Sequence, residues 1–276
     1  MKSFALALGG GGARGLGHVA VFEALDEMGV KPTAIAGASI GSLMGAAYAA
    51  GITGKELRHH VIAIAHNRAS IFRRLMTARA GTVAEFVSSG FVAANLVDAE
   101  KFCAQFLPEA VPETFEELRI PLTVATSDLY RRCEVPIVAG PLRPALAASI
   151  ALPGLMRPVV IGERVLIDGG ATNPLPFDRL RGLADVVVAV DISGEPAEDR
   201  RDLPNPWEAL VITVLVMANA IIVEKLRHSA PDLILRPNVG IFRTLDFMQA
   251  SAILRASEPI KAEVKEKLGK LIGKRP

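Results

Sequence analysis

The stretch that most constrains this chain is Ala34-Ile35-Ala36-Gly37-Ala38-Ser39-Ile40-Gly41-Ser42. A short apolar run over residues 34–36 stops at a serine flanked by glycines, and an alanine-rich helical segment, Ile40 to Ala50, follows and closes at Gly51. Gly37 and Gly41, two residues either side of Ser39, carry no Cβ that would hold strand and helix apart, so the chain can turn sharply between them. Such a turn exposes the serine hydroxyl and aims the next amide, that of Ile40, at the atom the serine would attack. It also demands a strand before it and a helix after it. G-x-S-x-G is built from common residues, and alone it does not separate an activated serine from an ordinary strand-helix junction.

The preceding residues repeat the pattern. Phe4 to Leu8 reads as a buried strand, Gly9-Gly10-Gly11-Gly12-Ala13-Arg14-Gly15 follows at once, and Gly17 to Met28 places Val19, Phe22 and Leu25 at helical spacing before Gly29. Strand-helix-strand-helix so early predicts an α/β fold: a central, mostly parallel sheet with helices on both faces, three layers in all. Pro121 to Thr126 is a third core strand, Glu134 to Val138 a weaker one, and Asp185 to Asp191 the clearest parallel-type strand, expected in the middle of the sheet. Val159–Ile161 and Val165–Ile167 form a hairpin that delivers Asp168-Gly169-Gly170. Helices are expected over 53–66 and 83–90 from capping boxes at Thr53 and Thr82, after Asp98 to Leu107, and over 142–151, 207–227 and 259–272, with a short strand at 233–235.

A length of 276 residues with 50% hydrophobic composition suits one large domain over 1–276, with a helical cap at about 53–95 and no interdomain linker. The net charge of +2 is too mild to argue for nucleic acid. Cys103 and Cys133 match neither a disulfide framework nor a metal-ligand spacing and read as reduced, apolar fillers of a cytoplasmic protein. The N-terminal apolar run is short and passes into glycines without a cleavage-like site, so it reads as a first strand and not a signal peptide. Ala209 to Val223 is the most apolar stretch, but fifteen residues fall short of the roughly 20 that span a bilayer. It reads as a buried helix, with an interfacial helix as the alternative. Between Leu57 and Ala84 there is no acidic residue, while Arg58, Arg68, Arg73, Arg74 and Arg79 interleave with apolar side chains. That segment is either a solvated helical face or a cap that meets anionic lipid headgroups.

The glycine loop serves one of two anions, or is a plain turn. Gly10, Gly12 and Gly15 meet the G-x-G-x-x-G spacing of a dinucleotide loop, but residues 30–42 hold no acid for a ribose and no Walker lysine is present. Beside an activated serine the same backbone amides form an oxyanion hole. A base for Ser39 is the remaining need. Of five histidines none sits in a motif; the order Ser39, Asp168, His228 suits a triad, while His228 also fits the C-terminal end of a helix. Asp168, at a strand end before two glycines, is shaped for direct contact with a partner.

The blocks Gly-Gly-Gly-Gly-Ala-Arg-Gly at 9–15, Gly-Ala-Ser-Ile-Gly at 37–41 and Asp-Gly-Gly at 168–170, in that order, resemble the three signature blocks of the patatin-like phospholipases. Ala148-Ser149-Ile150-Ala151-Leu152-Pro153 resembles the proline-containing segment before the aspartate in that family. The resemblance covers residues 9–170, and the element order to about 240 fits the small bacterial members. It implies a patatin-like α/β/α fold and a Ser-Asp dyad in place of a triad: Ser39 as nucleophile, Asp168 as base, and the amides of Gly10, Gly11 and Gly12 as oxyanion hole with that of Ile40. Arg14, Gly37, Gly41, Gly169 and Gly170 support these motifs. The implied activity is hydrolysis of lipid acyl esters without metal or cofactor, at transient contact with the inner membrane face. Two readings stand beside it: a regulatory or scaffold protein that keeps the fold, and a nucleotide-binding module. Because an ordinary aspartate is a weak base, partial burial of Asp168 is expected to raise its pKa.

Overall fold

The computed structural model describes residues 1–66, 97–194, 203 and 206–274. Its eight strands are β1 (Phe4–Leu8), β2 (Ile35–Ala38), β3 (Leu122–Asp128), β4 (Cys133–Ile137), β5 (Val159–Ile161), β6 (Arg164–Asp168), β7 (Val186–Val190) and β8 (Leu233–Leu235). They form one sheet in the order β5-β6-β3-β2-β1-β7-β8, with β4 also paired to β3. From β3 to β8 the neighbours are parallel; β4 and β6 each pair antiparallel with β3, and β5 pairs antiparallel with β6. Every residue of β1, β2 and β7 is buried, the pattern of strands covered on both faces, and this is why they read as continuous apolar runs. Strand β7 is next to the edge strand β8 and not in the middle as expected, because a penultimate strand with both faces covered needs the same apolar run as a central one.

The helices are α1 (His18–Glu27), α2 (Ile40–Ala49), α3 (Gly54–His66), α4 (Ala99–Phe106), α5 (Leu142–Ile150), α6 (Pro206–His228), α7 (Ala250–Ser257), α8 (Ile260–Glu263) and α9 (Gly269–Ile272), the last two joined by a π-helical turn over Val264–Leu268. Helix α3 opens with the predicted capping box: Thr53 N–H donates to Glu56 Oε2 at 2.8 Å and Glu56 N–H to Thr53 Oγ1 at 3.2 Å. Helix α4 is capped by Asp98, whose carboxylate accepts the Lys101 amide. The helix expected over 83–90, and the acid-free segment beyond residue 66, lie outside the described residues.

Two expectations about surfaces are corrected. Helix α6 is 23 residues long and mostly exposed, not buried: Val216 and Met217 are 63% and 61% exposed, and among its described large side chains only Ile222 is buried. By length and composition alone, Ala209–His228 qualifies to cross a membrane. Its sequence is apolar all round, yet only one stripe meets the body, and periodicity cannot announce which side stays bare. Arg58 is not free for headgroups, since it forms a two-pronged bond to the buried Glu23 at 2.5 and 2.7 Å and pairs with Glu258 as well. Glu23 is held further by Lys261 at 2.5 Å, and its pKa is lowered, these cation bonds outweighing a larger opposing burial effect. Of the cysteines, Cys103 is buried, its thiol pushed up to about 12 by burial, whereas Cys133 lies exposed on β4 and is no filler.

Candidate active site

Sheet register sets the positions. Ala38 of β2 pairs with Ala125 of β3, and the next β3 residue, Thr126, pairs with Asp168 of β6. Ser39, one residue past Ala38, and Asp168 therefore lie at the same level on strands two apart, a separation of about 10 Å that two short side chains can close. They do close it: the Ser39 hydroxyl donates to Asp168 Oδ2 at 2.7 Å. The other carboxylate oxygen, Oδ1, accepts the Gly170 amide at 2.7 Å from the short turn Gly169–Ala171. Asp168 is 5% exposed, and burial raises its carboxyl to about 6, opposed by the bonds from Ser39 and Gly170.

Ser39 has φ 52° and ψ −128°, a left-handed conformation that costs a non-glycine residue about 1–3 kcal/mol. Neighbours hold it there. Its N–H donates to Ser149 Oγ at 2.9 Å, and its carbonyl accepts the Ser42 hydroxyl at 2.6 Å and the Ser42 amide at 2.9 Å. Ser149, on α5, in turn donates to the carbonyl of Ala125 at 2.7 Å. Gly37 is buried in β2, and Gly41 sits where a Cβ would come within 2.3 Å of the Leu8 carbonyl, so only glycine permits the helix to start this close to β1.

The glycine loop lies beside Ser39 and leads into the 3-10 turn Gly12–Gly17. Its amides are not equivalent. Gly10 N–H donates to the Pro174 carbonyl at 3.0 Å and is committed, while among the described residues the amides of Gly11, Gly12 and Ile40 have no acceptor. Gly12 has φ 60°, and a Cβ there would come within 2.2 Å of the Thr244 carbonyl. That carbonyl accepts the Ala13 amide at 2.7 Å. Arg14 is buried and braces the loop, donating through Nη1 to the Ser193 carbonyl and through Nη2 to Thr244 Oγ1 at 3.1 Å; burial lowers its pKa. Its charged end is spent on the protein and is not offered to a headgroup. His18 supports the loop from below: fully buried, its pKa lowered to about 4 by burial, it is neutral and donates from Nε2 to the Gly9 carbonyl at 3.0 Å. His228 is 77% exposed at the end of α6 and paired with Glu224, so it makes no contact with the Ser39–Asp168 pair.

The pair opens into a cavity of about 300 Å³ whose other walls are almost wholly apolar, including Leu43, Phe102, Ile150, Met156, Leu215 and Phe247. Helix α6 contributes Val211, Val214, Leu215 and Ala218, the face opposite to its exposed side chains. The sequence singled out Ser39, Asp168 and the glycine loop, which the fold brings together; it did not single out Ser149 as a support of the turn, His18 as a support of the loop, or the 240–249 segment as a wall. Ser149 was within reach, because it lies in the 148–153 block quoted for its proline.

A family model described as patatin-like phospholipase matches residues 6–181. An uncharacterised NTE family protein of Mycobacterium tuberculosis is 36% identical over 199 residues, 72% of this chain and 51% of its own. Patatin-like phospholipase domain-containing protein 7 of Rattus norvegicus is 29% identical over 274 residues, covering 89% of this chain and 19% of its own. This chain thus spans about half the length of the mycobacterial relative and a fifth of the rat one. Among solved structures, VipD from Legionella pneumophila aligns over 95% of this chain and 66% of its own, with a TM-score of 0.51 and 15% identity, a likeness of fold.

Proposed function

This chain belongs to the patatin-like phospholipase family, a family of lipid acyl hydrolases, and from that premise we propose that it cleaves lipid acyl esters through a Ser39–Asp168 dyad. The single observation that carries the reading is the 2.7 Å bond from the Ser39 hydroxyl to Asp168 Oδ2 at the floor of an apolar cavity. Asp168 accepts the hydroxyl proton as Ser39 Oγ attacks the ester carbonyl carbon. A carboxyl raised to about 6 is a better base than an ordinary one and is still ionised at neutral pH. The tetrahedral oxyanion is met by the free amides of Gly11, Gly12 and Ile40. Its collapse expels the alcohol, which takes the proton from Asp168 and leaves an acyl-Ser39 ester. Water, deprotonated by Asp168, then attacks that ester, releases the fatty acid and restores the serine.

The same reading includes transient docking at a membrane surface. Leu210, Ile212, Val216, Met217 and Val223 on α6, with Ile241, Leu245 and Met248 in the segment that contributes to the cavity wall, are exposed apolar side chains. Arg227 and His228 follow at the helix end.

Fluorophosphonate labelling of the purified protein, located by mass spectrometry and repeated on Asp168→Asn, tests the dyad. Labelling at Ser39 that is lost in the variant supports it; labelling at full rate in a folded Asp168→Asn protein rejects it.

A further inference from the structure

A second cavity of about 150 Å³ lies behind the wall of the first. Ile40, Leu43, Phe102 and Phe247 line both, so the two spaces sit on either side of one apolar partition that begins at the residue next to the nucleophile. The far walls come from α2, α3 and α4, among them Ala47, Val61, Ala65 and Phe106. Among the described residues His60 is the one titratable side chain there, and its Nε2 is already bonded to the Phe106 carbonyl at 2.9 Å. Among the described residues, the rest of the lining is hydrocarbon, which suits an acyl chain.

We infer that this second cavity receives the acyl chain that is not being cleaved, so that the preferred substrate carries two chains on one backbone. The inference rests on the acyl-hydrolase reading above. Two apolar spaces parted by a ridge that starts at Ile40 match two chains that diverge from neighbouring ester positions, one of which lies at Ser39. Phe102 and Phe247 line both spaces, so the two adjoin at this aromatic pair.

The test fills the second cavity without touching the first. Ala65→Phe on α3 lines only the second space, and Ile64→Trp, one residue away and also part-exposed, serves as an independent plug should the first disturb folding. Each variant, checked by thermal melting, is assayed on dipalmitoyl phosphatidylcholine in mixed micelles, on palmitoyl lysophosphatidylcholine and on p-nitrophenyl butyrate. The expected result is a fall of at least about tenfold in kcat/KM for the two-chain lipid, the loss of roughly two buried methylenes, with the other two substrates within about twofold of the parent. An equal fall on the two-chain and one-chain palmitoyl lipids overturns the inference and makes the cavity an extension of the cleaved chain's path. No change on any substrate also overturns it. Failure of the parent protein to hydrolyse all three would instead reject the acyl-hydrolase reading itself.

Discussion

The Ser149 hydroxyl accepts the backbone N–H of Ser39 at 2.9 Å and donates its own O–H to the carbonyl of Ala125 at 2.7 Å. Helix α5 is thereby tied to the strained turn of β2 and to the middle of β3 by one side chain. Strain at Ser39 persists because the surroundings over-determine it, and Ser149 is one of the bonds that do so.

Ser149→Ala should leave the Ser39 amide without its acceptor and cost about 1–3 kcal/mol of stability, read from urea denaturation. Because the turn loosens while the apolar cavity stays intact, kcat should fall more than KM changes. A variant with parental kcat would show that the turn holds its shape without this bond.

Asp168 governs the pH dependence. With its carboxyl raised to about 6, kcat/KM should climb with pH through that value and level off above it. The folded state holds this proton more tightly than the unfolded chain does, so the group's stabilisation is complete below the ordinary carboxylate range and is lost as pH rises through about 6. Above that, burial of the anion costs on the order of 2–3 kcal/mol. Asp168→Asn should therefore be inactive yet melt higher than the parent at pH 8, with the gap closing toward pH 4. An acid limb below pH 5 would contradict the assignment.

Lys225 ties α6 to the body. It donates to Asn173 Oδ1 at 2.5 Å, to the Leu175 carbonyl at 3.1 Å and to Asp178, and it lies 4.7 Å over the Phe177 ring. Lys225→Met should cost about 1–3 kcal/mol and speed amide exchange along 206–228 more than along β1 or β7. Uniform exchange changes would mean that α6 is held elsewhere.

The exposed side of α6 should carry vesicle binding. Val216→Glu with Met217→Glu, on side chains that do not line the cavity, should weaken sedimentation with phosphatidylglycerol vesicles by about tenfold or more and leave p-nitrophenyl butyrate hydrolysis unchanged. Unaltered sedimentation would move the docking surface away from this helix.

Glu23, Arg58 and Lys261 join α1, α3 and the C-terminal helices. Arg58→Met strips the buried Glu23 of its two-pronged partner and should cost about 3 kcal/mol in chemical denaturation, without changing vesicle binding. Weaker vesicle binding in a stable variant would restore Arg58 to the lipid surface.

What the sequence by itself determined is local. Ser39 between Gly37 and Gly41, the Thr53 capping box, the Asp98 cap and the two-residue and 3.6-residue periodicities act over a few positions, so they can be read without knowing what lies opposite. The ordered blocks added Asp168, 129 residues away, by resemblance. Tertiary structure alone decided the rest: that β7 lies next to the edge, that Pro174 takes the Gly10 amide and leaves Gly11 and Gly12 free, that Arg58 is spent on Glu23, and that α6 turns one apolar side to the cavity and the other outward. The physical reason is common to all four. Whether a strand is flanked, an amide satisfied, a charge paired or a helix face covered depends on a partner brought near by sheet register, and residue type alone names what could bond there, not what does.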